Sequence, residues 1–463
     1  MTKVHHRTYS RDQYDRIRDC IDGEDRVKKQ GQLYLPKPEG MTTDGYQAYK
    51  TRASFYPVAE RTLRGMVGAI TRNDPILTLP PRLESMRDAA TFEGNAFDVL
   101  LTDLAAEVLS VGRVAALLDF PKAGATPTSA PFISTFRAEA ILDWQESLVD
   151  GRQKLTMLRL NEDNDDLDDG VEQHLVLTVE PAYTVRRYHV TTRRGNGPSP
   201  DSVTEALVEE TLPIVNGKTL LDIPVVIISP YNLKADVEKP PFQDLCSVNL
   251  AHYRNSADYE HALFLTSQPT PWVAGAFNEK NKPTLIGSGG FWVLPEGATC
   301  GLLEVTGAGI ASVRIALDDK VTQMATLGAR MVHDGKGRNE TTSTAQLRVR
   351  GEYSLLISSV NMIEAGVLKL LRLAAEWTQP GSSSQVVFKM HRDLISSQMD
   401  ATTLTALLKA WQSGAISHDS FLMNLKKGDM IDPNRSLEEE LQLIDDEGGN
   451  IGSPPIPALV PTA

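Results

Sequence analysis

The chain is poor in cysteine, in positive charge and in long apolar runs, and each shortage excludes something. Cys20, Cys246 and Cys300 are an odd set of three in 463 residues. None shares a CxxC spacing, which argues against a disulfide framework or a zinc site. They read as reduced, mostly structural thiols. No apolar run reaches the length of a bilayer-spanning helix, and the start MTKVHHRTYSRDQYDRIRD lacks the apolar core of a secretory signal. The expectation is a chain that stays out of membranes and in the cytoplasm. Lys and Arg number 47 against 60 Asp and Glu, a net charge of -13 and a pI near 5.3. Such a surface repels nucleic acid except at a local basic patch.

What is present is an ordinary globular composition, 41% hydrophobic and 23% charged, at a mean hydropathy of -0.24. The length predicts two or three cores, or one elongated subunit with several substructures. Residues 1–50 are mostly polar and read as a surface arm with one short helix around 11–20. Helical spacing follows in FYPVAERTLRGMVGAIT, through Val58, Leu63, Met66 and Ile70. FDVLLTDLAAEVLSVG places Val99, Leu100, Leu104, Ala105 and Val108 on one face, and Gly112 stops it. RVAALLDFP reads as a buried strand. LTMLRL, HLVLTVE and TVRRYHVT alternate as antiparallel strands, and LPIVNGKTLLDIPVVIISPYN adds two more.

The middle of the chain is a helix, a small strand-rich insert and another helix. FQDLCSVNLAHYRNSADYEHALFL carries Phe242, Leu245, Cys246, Tyr253, Ala257 and Phe264 on one side. PWVAG, GFWVLP and GLLEVT are strand candidates broken by glycine and proline. Ile310, Val313, Leu317, Val321, Met324 and Leu327 then alternate by three and four. After HDGKGRNETT, the series Val349, Tyr353, Leu356, Val360, Ile363, Val367, Leu370 and Ala374 keeps a four-three rhythm over roughly seven turns. Ser343 with Gln346 fits a capping box at its start. Gly351 and Gly366 interrupt the pattern, each costing about 1 kcal/mol relative to alanine and marking a bend. Two short helices around Gly414 and a third in SLEEELQLIDDE precede a tail, GGNIGSPPIPALVPTA, expected to be disordered. The fold class is α+β.

Motifs for chemistry fail on inspection. GKGRNETT has one glycine before Lys336, no hydroxyl directly after it and a helix rather than a strand in front, so it is no phosphate loop. GSGG at 287–290 lacks the GxSxG elbow, and no HExxH exists. The nine histidines are scattered; His252 and His261 lie nine apart on one helix and suit packing or surface roles. Adjacent Asp318 and Asp319 point in different directions, unlike a working carboxylate pair. NEDNDDLDDG misses the EF-hand ligand positions and reads as a solvated hairpin tip.

VLSVGRVAALLDFP, then PPFQDLCSVNLAHYRNSADYEHALFLTSQPTPWVAG, then QMATLGARMV and ETTSTAQLR give an order and spacing that resemble the tailed-bacteriophage portal (head-tail connector) family, from about residue 50 to about 445. The resemblance implies a portal-protein fold assembled as a ring, usually a dodecamer, at one vertex of the phage head. Double-stranded DNA is packaged, retained and ejected through it without sequence readout. It implies no enzymatic activity and no cofactor. It implies as partners the terminase large subunit, a head-tail adaptor, and the major capsid and scaffolding proteins. The location is the virion, with the host cytoplasm during assembly.

By the same resemblance, 1–239 is an N-terminal arm and wing, 240–267 a stem helix, 268–305 a clip and 306–332 a second stem helix. A tunnel loop follows at 333–342, then a long helix and the rest of the wing at 343–399, then a crown and tail at 400–463. Phe242, Tyr253, Arg254, Val313, Arg314 and Met324 fall on the stem, and Trp272, Phe291 and Trp292 in a compact clip. Gly335, Lys336, Gly337, Arg338 and Asn339 fall in the tunnel loop. A glycine-rich polar segment is flexible, and Lys336 and Arg338 suit passing contact with phosphates without base readout; alternatively they pair with Asp334 and Glu340. Two rivals stay open: a structural head or adaptor protein that forms no conduit, and a nucleotide-using packaging enzyme.

Overall fold

The computed structural model describes residues 7–120, 131–149, 151–162, 167, 170–179, 182–193, 202–215, 217–267, 270–276, 292–303, 308–328, 342–392, 401–427, 430–431 and 435–446. Most of the acidic stretch at 161–170, the glycine-rich loop at 333–341 and the tail from 447 lie outside them. Helix and strand are mixed, as the α+β reading expects.

Three helices open the chain, α1 (Arg7–Asp22), α2 (Glu24–Lys29) and α3 (Thr43–Arg52). They correct the reading of 1–50 as a surface arm with one short helix. Tyr14, Ile17, Val27, Tyr34, Leu35, Tyr46 and Tyr49 are buried. The segment looks polar because its core is built from tyrosine, whose ring packs while its hydroxyl finds a partner. Tyr34 donates to Asp19 at 2.5 Å and Tyr46 to the Leu35 carbonyl at 2.8 Å.

Next come α4 (Val58–Ile70) and α5 (Phe97–Ser110). On α5 Leu100, Leu101, Leu104, Ala105 and Val108 are buried, whereas Val99 is 45% exposed. At about 100° per residue Val99 falls opposite Leu101, so the expected face is wrong at that position.

The strands run β1 (Ile76–Thr78), β2 (Val114–Asp119), β3 (Phe132–Arg137), β4 (Ile141–Val149), β5 (Arg152–Glu162), β6 (Val171–Thr178), β7 (Thr184–Arg193), β8 (Ser202–Thr211), β9 (Ile214–Val215), β10 (Lys218–Thr219) and β11 (Val225–Ile228). The continuous apolar run of β2 is buried from Val114 to Leu118, as the sequence predicts, in an antiparallel sheet ordered β11-β2-β3. Strands β4 to β8 form a five-stranded antiparallel meander. Leu158, Leu160, Leu175 and Leu177 from this meander share a core with Ala115, Leu117, Val225 and Ile227.

The rest comprises α6 (Gln243–Thr266), β12 (Thr270–Ala274), β13 (Thr299–Leu303), α7 (Ala308–Thr326), α8 (Thr342–Thr378), β14 (Val387–Lys389), α9 (Ala401–Gln412), α10 (His418–Lys427) and α11 (Leu437–Asp446). Residues 292–295 of GFWVLP form no strand. Because α8 starts at Thr342, Ser343 falls inside the helix rather than at its cap. A true capping box closes α11: the Glu439 N–H donates to Ser436 Oγ at 3.1 Å, and the Ser436 N–H donates to the Glu439 carboxylate at 2.8 Å.

The chain divides into two compact units. One comprises 1–65, 109–112 and 237–349, the other 66–108, 113–236 and 350–463. In the second unit Leu356, Val360, Ile363, Val367, Leu370 and Ala374 of α8 are all buried, as their spacing predicts. Gly366 there serves close approach rather than a bend: a Cβ would lie 2.9 Å from the Ile228 side chain of β11 and 3.3 Å from that of Val226.

Candidate functional site

In the first unit α6 and α7 pack side by side, and β12 and β13 pair as a hairpin lying between them in sequence. The start of α6 is set by Gly112 and Pro241. Gly112 has φ +83°, and a Cβ there would come 2.7 Å from the Pro241 ring, so both backbone and space demand glycine. The Phe242 N–H then donates to the Ser110 carbonyl at 3.2 Å, and the Phe242 ring is buried.

One face of α6 buries Leu245, Cys246, Asn249, Leu250, Tyr253, Ser256 and Ala257. Several polar groups of α6 pair with the segment that covers it. Asn249 Nδ2 donates to the Tyr56 carbonyl at 3.0 Å, the Ser54 N–H donates to Ser256 Oγ at 2.9 Å, and the Tyr49 hydroxyl donates to Asp258 at 2.7 Å. Phe55 meets Tyr253 edge-on, with ring centroids 6.0 Å apart. Burial pushes the Tyr253 hydroxyl up to about 12, and that hydroxyl has no hydrogen-bond partner among the described residues. The Arg52 guanidinium lies 3.6 Å over the exposed Phe264 ring, correcting the expectation that Phe264 shares the buried face.

Where α6 meets α7, burial and then the Lys320 ammonium hold the His252 imidazole below its ordinary value. His252 therefore packs as a neutral ring, tilted against Tyr56 at 6.0 Å. Met324 is fully buried, Val313 is half-buried, and Arg254 and Arg314 are exposed. Leu265 and Ile315 are each 62% exposed. The helix pair thus presents aliphatic side chains among exposed Arg254, Asp258, Arg314, Asp318 and Asp319, a surface suited to docking against protein.

On the hairpin Trp272 pairs with Gly301, and a Cβ at 301 would lie 2.9 Å from the Trp272 Nε1. Glycine leaves room for the indole to lie across the strand. Trp272 remains 45% exposed, and Trp292 is half-buried outside any strand. Phe291, Gly335, Lys336, Gly337, Arg338 and Asn339 lie outside the described residues. The structure therefore brings together the helix-pair residues, while the pairing of Lys336 and Arg338 has no description. Sequence reasoning missed Tyr49, Arg52, Asn249, Ser256 and Asp258. No spacing rule flags a polar residue that a distant backbone will satisfy.

Among the described residues no group of three His, Cys, Asp or Glu could hold a metal ion, and no helix is long and apolar enough to cross a membrane.

A family described as "Domain of unknown function (DUF4055)" matches residues 241–378, which run from the start of α6 to the end of α8. No curated protein matches the chain. Among solved structures, the chain is similar to one from the neck of an empty GTA particle computed with C6 symmetry, at 12% identity and a TM-score of 0.43, covering 88% of this chain and 98% of that one. It is similar to one from the virion of a native gene transfer agent particle at 12% identity and a TM-score of 0.42, covering 86% and 98%. A HK97 family phage portal protein from Corynebacterium diphtheriae gives 12% identity and a TM-score of 0.30, covering 80% and 98%. At this identity and overlap the likenesses assign the chain no site and no role.

Proposed function

We propose that the chain is the subunit of a tailed-phage portal, a non-enzymatic ring that conducts DNA at the vertex of the phage head. The observation that carries this reading is the order of elements from 243 to 378: a helix, a small hairpin, a second helix packed on the first, and a long helix. It is the order expected of a stem, a clip, a second stem and a wing helix in the family the sequence resembles. In this reading α6 and α7 are the stem and β12–β13 belongs to the clip at 268–305. Residues 333–342 form the tunnel loop, α8 belongs to the wing and 400–463 to the crown. Twelve copies close the ring through stem and wing surfaces. Genome packaging, retention and ejection pass through its channel. The terminase large subunit and a head-tail adaptor dock at the clip, and the major capsid and scaffolding proteins surround it. Energy for packaging comes from the terminase, as in the family the sequence resembles; the sequence carries no phosphate-loop motif.

The aliphatic outer surface of the helix pair supports assembly with like copies, because exposed apolar area among charges suits a protein interface. The test is electron microscopy of the purified chain, classified for rotational symmetry. Closed rings with a pore wide enough for duplex DNA are expected; a stable closed assembly without a channel overturns the reading. Lys336→Ala with Arg338→Ala is expected to leave ring formation intact while altering packaging or DNA retention, and failure to assemble would make the loop structural.

A further inference from the structure

Two of the three cysteines meet in the fold. Cys20 of α1 and Cys246 of α6 stand 226 positions apart, and both are free, fully buried thiols. The Cys20 thiol donates to the Cys246 carbonyl at 3.9 Å. A hydrogen bond between the two thiols, and then burial, push the Cys246 thiol well up. Arg16, one turn before Cys20, only partly offsets that rise. Ile17 on α1 and Leu245 and Leu250 on α6 are also buried. A single buried cysteine is an ordinary small apolar residue. Two buried thiols from separate helices, one lying against the backbone of the other, have in addition the arrangement from which a cross-link forms.

We propose that Cys20 and Cys246 are a dithiol–disulfide couple, oxidised by hydrogen peroxide to a covalent tie between α1 and α6. The balance closes with peroxide as the only oxidant. One sulfur takes an oxygen atom from peroxide as the O–O bond breaks, becoming a sulfenic acid, and its thiol proton leaves with the other oxygen as water. The second sulfur attacks the first, the S–S bond forms as the S–O bond breaks, and the sulfenic hydroxyl leaves with the second thiol's proton as water. In the reduced chain α1 is held to α6 by packing; in the oxidised chain it cannot leave. The exposed Cys300 on β13 has no part in the couple and serves as its internal contrast.

The experiment uses the full chain carrying Cys300→Ser, treated with peroxide while folded, quenched by alkylation and mapped without reduction. The expected result is a loss of about 2 Da, the mass of two hydrogens, together with a peptide joining Cys20 to Cys246. Dithiothreitol should reverse both, and the thermal midpoint should be higher in the oxidised sample. Cys20→Ala in the same background should abolish the mass loss. Full alkylation of both thiols after peroxide overturns the proposal. So does a gain of oxygen that stops at sulfinic acid without a link. Oxidised and reduced samples of one chain are compared, so the result does not depend on a buried variant folding.

Discussion

The helices α6 and α8 solve the same packing problem in opposite ways. The buried stripe of α8 is mostly aliphatic, Leu356, Val360, Ile363, Val367, Leu370 and Ala374 at alternating steps of four and three, with Ser359 buried beside it. The buried face of α6 mixes Leu245 and Leu250 with Asn249, Tyr253 and Ser256. Burial carries most of α8, with Ser358 Oγ donating to the Pro230 carbonyl at 2.6 Å, whereas α6 relies more on matching donors and acceptors to the 49–56 segment. An aliphatic stripe accepts any apolar partner of suitable shape; a polar face is correct against one partner only.

The largest effect that tests this contrast is Ile363→Ala. It should cost about 2–5 kcal/mol in urea unfolding, the range for removing most of a buried aliphatic side chain. A loss under about 1 kcal/mol, the middle of the range for a milder Ile-to-Val change, would mean that α8 is not the anchor its stripe suggests. Asn249→Ala should cost about 0.5–1.5 kcal/mol, because the Tyr56 carbonyl loses the Asn249 donor and keeps only the Val58 N–H at 2.8 Å. A neutral result would erase the distinction between the two helices.

Gly366→Ala sets two opposed terms against each other. Alanine gains about 1 kcal/mol of helix propensity, while a Cβ 2.9 Å from the Ile228 side chain brings an overpacking cost of about 1–3 kcal/mol. The net expectation is destabilisation of about 1 kcal/mol, read by the shift of the unfolding midpoint. A stabilised variant would show that Ile228 simply turns away.

The smallest effect is expected from Tyr253→Phe, which removes a hydroxyl without a partner among the described residues. It should change stability by less than about 0.5 kcal/mol at neutral pH. In alkali the two proteins should part. Folding raises the Tyr253 pKa to about 12 from an ordinary 10.0. The stability it contributes is therefore complete below pH 10 and is lost as pH rises through about 12. Burial also raises Tyr34 and Tyr49, with hydrogen bonds to Asp19 and Asp258 adding to it, so alkali should weaken this unit in either protein. Urea midpoints across about pH 9 to 12 should fall less steeply in the phenylalanine variant, a range set by the ordinary and raised values.

The same contrast explains which parts of the fold can be read from the amino-acid sequence. The α8 stripe and the β2 run are legible because burial alone places those residues, and burial leaves a period. Before residue 53 only the helix around 11–20 is; the rest is not, since tyrosines among charges look like surface until Asp19 and Leu35 appear as their partners. β4 and β8 escape notice for a related reason. TEALVEET has helix-forming residues and becomes strand only by pairing with β7. At the site, helix, insert and helix are legible from glycine, proline and apolar spacing. The long-range bonds to Ser54, Tyr56 and Tyr49 are not.

One consequence of the division into units lies in time. Residues 1–65 belong with 237–349, and Tyr49 finds Asp258 only after another 209 residues have been made. At synthesis rates of about 5–20 residues per second, that is a delay on the order of 10–40 s. During it the buried faces of α1 and α3 have left the ribosome without the helix that covers them. The first helices to emerge must therefore wait for a partner made much later, and that interval is when the nascent chain most needs shielding.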